Sequence, residues 1–295
     1  MLEGLLKVLL IAKYTMTVTP FEKIKKTIIN ELPDGLVDKL PKKWEKIGRI
    51  LIFTLPSELR TYQKKIGKIY AKEIGCKTVL NNVGGITGEF RKPNFEIIYG
   101  PSDTETTHKE NGVSYSLDPM KVMFSSGNMD ERIRMSRVTK PGEIVVDLFA
   151  GIGYFTLPIA VHNRPKKIYA VEKNPISYDY LCKNISLNNV NDIVEPSFGD
   201  NRKVAPEDIA DRVIMGYFDT IDFLPIGINC LKNKCGIIHY HDKLPENNMP
   251  EKAFNQIRKI VEKNDKKAFL QNYKIVKSFA PGIYHYVFDI KIGEK

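Results

Sequence analysis

The sequence predicts a two-domain α/β protein: a mostly parallel, doubly wound sheet of seven strands from residue 117 to 295, preceded by a smaller basic α+β domain over 21–116. Three observations carry this. The chain has 295 residues, more than one small core needs. Near Leu117 an irregular mixture of short strands and helices gives way to regular alternation of apolar runs with helical segments. Nearly uninterrupted apolar strands of that kind belong to a sheet covered by helices on both faces.

The first twenty residues read as an N-terminal extension. Its apolar stretch, Leu5 to Ala12, is too short to span a bilayer and lacks a basic leader and a small-residue cleavage site. It reads as a helix packed on the domain, or as an upstream extension if Met16 is the true start, and no targeting role is assigned to it. From Ile47, IGRILIFTLP is a β-branched run ended by proline, and SELRTYQKKIGKIYAKEIG keeps helical spacing up to Gly75. CKTVL and NFEIIYG are two further short strands. Asn111-Gly112, between alternating segments, supplies the two left-handed residues of a tight hairpin, which is assigned to the first domain.

In the second domain the strands are EIVVDLFA, KKIYAVEKN, IVEPSFGD, DRVIMGY and CGIIHYHD. Helical stretches such as ISYDYLCKNISLNN and PEKAFNQIRKIVEKN separate most of them. The chain closes with YKIVKSFAPGIYHYVFDIKI, two runs joined through Pro281-Gly282, which reads as an antiparallel pair at the sheet edge.

Net charge is +10, and it is concentrated: from Lys39 to Lys77 there are eleven basic residues against Glu45, Glu58 and Glu73. Clustered cations gain free energy by displacing counterions from a phosphate backbone, so the first domain reads as a nucleic-acid grip. Cys76, Cys182, Cys230 and Cys235 form no CxxC pair and no Cys/His set with zinc spacing. They read as reduced thiols of a cytoplasmic protein. Neither a metal nor a membrane is implied.

Candidate site residues cluster at strand ends. DLFAGIGYFTLP puts Gly151 and Gly153 between an apolar strand and a helix, where absent Cβ atoms let backbone approach a ligand. The third small position of a dinucleotide fingerprint is Thr156, which weakens a nicotinamide reading. Asp147 precedes Gly151 by four residues, where a carboxylate can face a cationic amine. Glu172 ends the next strand, where an acid can accept from both hydroxyls of a ribose. Asp200-Asn201 closes the third, suited to the amino group and ring nitrogens of adenine, although each alone also reads as a loop cap. In series, these describe an adenosine pocket. His239 and His241 share one side of a strand and read as core or rim histidines.

FSSGNMDERIRM, VVDLFAGIGYFTLPIA, VEKNP, NNV, GDN, RVIMGY and KSFAPGIYHYVFDIKI occur in order over residues 115–295. With them the chain resembles the class I AdoMet-dependent transferases of Rossmann-like fold, and within these the branch that modifies position 37 of tRNA. Two members of the branch are alike. One methylates guanosine-37 at N1; the other, of the wybutosine pathway, moves the 3-amino-3-carboxypropyl group of AdoMet to carbon 7 of 4-demethylwyosine on tRNA-Phe. The resemblance implies AdoMet as co-substrate, the anticodon region of tRNA-Phe as partner and a monomeric enzyme. It also implies that Ser125 and Arg132 contact AdoMet beside Glu172, Asp200 and Asn201. Arg132 can serve either the methionine carboxylate or a tRNA phosphate.

The methyltransferases of the branch carry Asn-Leu-Pro or Asn-Pro-Pro after the fourth strand, and Met215-Gly216-Tyr217 stands here. The glycine removes the amide and is expected to leave room for a longer transferred group, favouring aminocarboxypropyl over methyl transfer. The alternatives are a guanine-37 N1-methyltransferase with another donor, and an RNA-binding protein that retains AdoMet without catalysis. Glu131 is a weak candidate base, and Arg134 is expected on a solvated helix face.

Overall fold

A computed structural model describes residues 18–246 and 250–294. The helix expected at Leu5–Ala12 lies outside them. The chain divides into two compact units, the first running to Gly85 and resuming at Asn94–Thr104, the second comprising Ile86–Pro93 and Glu105–Lys295.

In the first unit α1 (Pro20–Ile28) opens on a capping box, with Thr19 Oγ1 accepting from the Glu22 amide at 3.2 Å and the Glu22 carboxylate accepting from the Thr19 amide at 2.7 Å. Such reciprocal bonds satisfy two of the donors a helix start leaves open. The run read as one strand from Ile47 is a hairpin: β1 (Glu45–Ile47) and β2 (Ile50–Phe53) are antiparallel, with Ile47 opposite Ile50. Gly48 takes φ +54° at the turn. β2 is wholly buried and pairs parallel with β3 (Thr78–Thr87), reached through α2 (Gln63–Ile74). α2 ends where expected, at a left-handed Gly75, which spares a side chain the αL strain. β4 (Lys92–Tyr99) completes a sheet of order β1-β2-β3-β4. Ile24, Ile28, Leu51, Phe53, Ile66, Tyr70 and Val79 form its core. Lys42, Lys43, Arg60, Lys64, Lys68 and Lys72 are exposed.

The second unit begins with β5 (Thr106–Glu110) and β6 (Val113–Leu117), joined by left-handed Asn111 and Gly112. The hairpin forms as expected but belongs to this unit rather than the first. Asn184 and Asn188, on and just after α5 (Pro175–Leu187), accept the Ser116 and Ser114 amides at 2.6 and 2.9 Å. Those side chains finish a strand edge that would otherwise lack partners. The boundary therefore falls at 104/105, not 116/117.

The main sheet is formed by β7 (Ile144–Asp147), β8 (Lys167–Glu172), β9 (Val194–Phe198), β10 (Arg212–Met215), β11 (Gly236–Pro245), β12 (Lys267–Ala280) and β13 (Ile283–Gly293). Its order is β9-β8-β7-β10-β11-β13-β12. Neighbours from β9 to β11 are parallel, and β13 runs antiparallel to both β11 and β12. The chain reverses between β7 and β10, and at such a switch point the strand ends open a crevice for ligands. Other helices are α3 (Met129–Val138), α4 (Thr156–Asn163), α6 (Asn201–Val204), α7 (Leu224–Cys230) and α8 (Pro250–Lys263). One face of the sheet packs Val213, Met215, Ile238, Phe288 and Ile290 with Ile228, Ile257 and Val261 of α7 and α8. Among the described residues no helix is long and apolar enough to cross a membrane, and no group of acids, histidines and cysteines is arranged to hold a metal.

Candidate active site

At the carboxyl end of β7 the backbone makes two left-handed steps, Gly151 at φ +58° and Gly153 at φ +101°. A Cβ at Gly151 would stand 2.3 Å from the Tyr154 ring and one at Gly153 2.6 Å from Leu157. The glycines are thus demanded twice, by backbone angle and by space. The Gly151 amide donates to Glu172 Oε2 at 2.7 Å, and the Asn174 amide to Glu172 Oε1 at 2.6 Å. Burial pushes the Glu172 carboxyl up while these amides pull it down. Each oxygen holds one backbone donor and keeps further lone-pair capacity.

Asp147 lies beneath this loop. It is fully buried, with Oδ2 accepting from the Thr156 hydroxyl at 2.8 Å and Oδ1 from the Phe149 amide. Thr156, the residue that breaks the dinucleotide fingerprint, therefore serves as a donor to the loop's buried acid. Burial raises the Asp147 carboxyl to about 6. Asp147 shapes the loop from below rather than presenting its carboxylate at the cleft.

Asp200 caps α6 by accepting from the Arg202 amide at 3.0 Å. Its carboxylate is held well below the usual range by the Arg202 guanidinium, with Lys173 3.5 Å away. Asn201 Nδ2 donates to the Leu148 carbonyl at 3.0 Å, tying the end of β9 to the loop after β7. Its Oδ1 is buried with no hydrogen-bond partner among the described residues. A buried acceptor left open is costly unless a ligand fills it. An open acceptor at Asn201 and an accessible carboxylate at Glu172 fit the amino and hydroxyl donors of an adenosine.

Beside the glycine loop, where the Tyr154 hydroxyl donates to the Met123 carbonyl and its ring lies 6.0 Å from that of Phe124, Ser125 starts the turn into α3, and Arg132 is 2% exposed. The Arg132 guanidinium forms a fork with both oxygens of Glu110, each at 2.6 Å, and donates to the Ser125 carbonyl at 3.0 Å. Its charge is thus already matched. The Ser125 hydroxyl accepts from Lys277 Nζ at 2.7 Å. Glu110 carries no local motif that would have marked it, and Lys277 opens the KSFAPG stretch without any sign that it reaches Ser125.

Arg134 is not on a solvated face. Its side chain is 16% exposed and spans Glu131 of its own helix and Asp289 of β13, both at 2.7 Å. Glu131 is completely buried, closed off by Arg134 and by Lys274 at 3.8 Å, and burial pushes its carboxyl up. The chain of charges continues through His239. Arg212 donates to His239 Nε2 at 2.6 Å, so the ring proton sits on Nδ1 and donates to Asp289 at 2.5 Å. Arg212 is itself paired with Glu143 at 2.8 Å. His239 and His241 are each 1% exposed, core residues as expected. His241 Nδ1 lies 3.0 Å from His285 Nε2, and burial pushes both rings down, His285 to about 3.

Gly216 follows β10. A Cβ there would meet the Phe155 ring at 2.7 and 2.9 Å, so the room expected at Gly216 is taken by an aromatic side chain. Tyr217 stacks on Phe149 at 5.6 Å, and its hydroxyl donates to the Glu89 carbonyl at 2.8 Å.

A parallel sheet closed by an antiparallel pair, a double-glycine turn and acids at successive strand ends define a class I AdoMet-dependent transferase. Comparison with known proteins narrows the class. The chain matches a TRM5/TYW2 methyltransferase domain over residues 106–269 and a TYW2 N-terminal domain over 24–104. It belongs to the TRM5/TYW2 family. It is 44% identical over 271 residues to the tRNA(Phe) (4-demethylwyosine(37)-C(7)) aminocarboxypropyltransferase of Pyrococcus horikoshii, covering 92% of this chain and 96% of that one. Against the tRNA (guanine(37)-N(1))-methyltransferase Trm5b of Pyrococcus abyssi the identity is 35%, covering 90% and 79%. A crystal structure of P. horikoshii TYW2 in complex with MeSAdo superposes with a TM-score of 0.84 at 40% identity, covering 93% of this chain and 100% of that one.

Proposed function

We propose that this chain transfers the 3-amino-3-carboxypropyl group of S-adenosyl-L-methionine to carbon 7 of 4-demethylwyosine at position 37 of tRNA-Phe. The observation that carries this reading is the 44% identity to the P. horikoshii aminocarboxypropyltransferase, over 92% of this chain and 96% of that one, against 35% to the Trm5b methyltransferase; Gly216, which lacks the amide of the methyltransferases, agrees with it. AdoMet supplies a sulfonium whose arm γ-carbon is open to attack: carbon 7 forms the new C–C bond, the C–S electron pair stays on sulfur in departing 5′-methylthioadenosine, and carbon 7 loses its proton to solvent.

The protein contributes alignment, which is worth several orders of magnitude for a donor already activated. Glu172 accepts from the ribose hydroxyls, Asn201 and Asp200 hold the adenine edge, and Gly151 and Gly153 let the loop backbone approach. Asp147 holds that loop from below. Arg132 fixes the Ser125 turn through its carbonyl, and Lys277 orients the Ser125 hydroxyl. Glu131 is sealed by its cations and does not serve as the base. The exposed lysines and Arg60 of the first unit grip the RNA near its anticodon. The enzyme works as a monomer in the cytoplasm, where its four cysteines, free here, remain thiols.

The test uses tRNA bearing 4-demethylwyosine and AdoMet labelled in either the methyl or the carboxyl carbon. Carboxyl label is expected in the RNA. Methyl label would select the guanine-37 methyltransferase reading, and absence of both would leave an RNA-binding protein that retains AdoMet.

A further inference from the structure

We propose that Arg91 binds the carboxylate of the methionine arm of AdoMet and so fixes which carbon of the sulfonium faces the nucleobase. Arg91 sits at the tip of the β3–β4 hairpin, on the segment 86–93 that belongs to the second unit. Two observations converge on it, at a residue whose left-handed backbone (φ +52°) closes the hairpin turn with its amide donating to the Gly88 carbonyl at 3.1 Å. Its guanidinium lies over Tyr217 at 5.7 Å and Phe218 at 5.4 Å, immediately beyond Gly216. Among the described residues it has no carboxylate in ion-pair reach: Nη2 donates only to the Met123 thioether, a weak acceptor, and Nε is buried with no partner.

The other cations near the cleft are occupied. Arg132 is held by Glu110, Lys173 by Glu89 and Asp200, Arg202 by Asp200, and Lys277 by Ser125. Among the described residues Arg91 has no carboxylate partner of this kind. A path of contacts leads to it from the adenosine pocket: Asn201 bonds Leu148, the next residue Phe149 stacks on Tyr217, and Tyr217 lies under Arg91. A fork packed on two rings, with its Nε buried, is confined to the cleft, where a ligand carboxylate can meet it by paired hydrogen bonds.

This inference rests on the aminocarboxypropyl reading, yet its test needs no transfer. Titration calorimetry with AdoMet and with 5′-methylthioadenosine, which lacks the arm, compares wild type with Arg91→Ala and Arg91→Lys. AdoMet affinity is expected to fall about tenfold or more in Arg91→Ala and to recover in part in Arg91→Lys. The methylthioadenosine affinity, which also reports that the variant is folded, changes by less than about twofold. Equal losses for both ligands, no loss for either, or a loss confined to tRNA affinity would each overturn the proposal. A failed label assay with this binding difference intact would count against the transfer reading alone.

Discussion

Two sets of acids in the second unit are treated in opposite ways. At the ends of β8 and β9, Glu172 meets backbone amides and Asn201 keeps an open buried acceptor. Between α3, β13, β11 and β10, Glu131, Asp289 and Glu143 are each closed by a guanidinium, with His239 wedged between Asp289 and Arg212. Backbone donors orient a carboxylate while leaving it lone pairs for a ligand; paired guanidinium forks consume them. The first set therefore fits the proposed site and the second a fastening, although both are strings of polar and charged residues in the same unit.

The sharpest way to break that distinction is to remove a member of the fastening. Burial pushes the Asp289 carboxyl up, and bonds from His239 and Arg134 more than offset this, leaving it well below its usual range. Asp289→Ala leaves Arg134 and His239 without their shared acceptor, and breaking a buried pair of this kind costs about 3–5 kcal/mol. Chemical denaturation should read that loss, and AdoMet affinity measured on the remaining folded protein should stay within about twofold. A large loss of affinity at unchanged stability would place Asp289 in the site instead.

Asp147 tests the boundary between the two sets, since it is buried like the fastening but lies under the ligand loop. Its folded value is raised to about 6 from an ordinary 3.8. The acid's contribution to stability is therefore complete below about pH 4 and is lost as pH rises through about 6. Relative to Asp147→Asn, the wild type should lose roughly 2–3 kcal/mol of unfolding free energy between pH 4 and pH 7. Parallel pH profiles for the two proteins would show that the carboxylate is not desolvated as its burial implies.

The two sets also differ in how far they could be read in the chain itself. Gly151, Gly153, Glu172, Asp200 and Asn201 could be proposed from the chain because each is marked locally, by a strand end and a glycine or amide next to it. The fastening could not, since Arg134 meets Asp289 across 155 positions. Nothing in a helical repeat tells a solvated arginine from one facing a strand so distant. The same limit misplaced the Asn111-Gly112 hairpin: its turn is encoded by two residues, whereas its unit is decided by Asn184 and Asn188. Strand direction fared better, because the terminal antiparallel pair and the parallel run before it are written as consecutive patterns.

The smallest effect is expected at Glu172, and it separates ligand contact from loop support. Glu172→Ala removes an acceptor for two ribose hydroxyls, which should weaken AdoMet binding by about 1–3 kcal/mol. It also leaves the amides of half-buried Gly151 and buried Asn174 without their partner, so a modest loss of stability is expected beside the loss of binding, and affinity is measured on the folded protein. Methylthioadenosine affinity should fall by the same factor as AdoMet affinity, since the ribose is common to both. That pattern is the reverse of the one expected for Arg91, and measuring the two variants side by side distinguishes the nucleoside end of the cleft from the end that holds the arm. If Glu172→Ala instead spared methylthioadenosine, its carboxylate would be acting on the amino-acid arm, and the assignment of strand ends to the adenosine would fail.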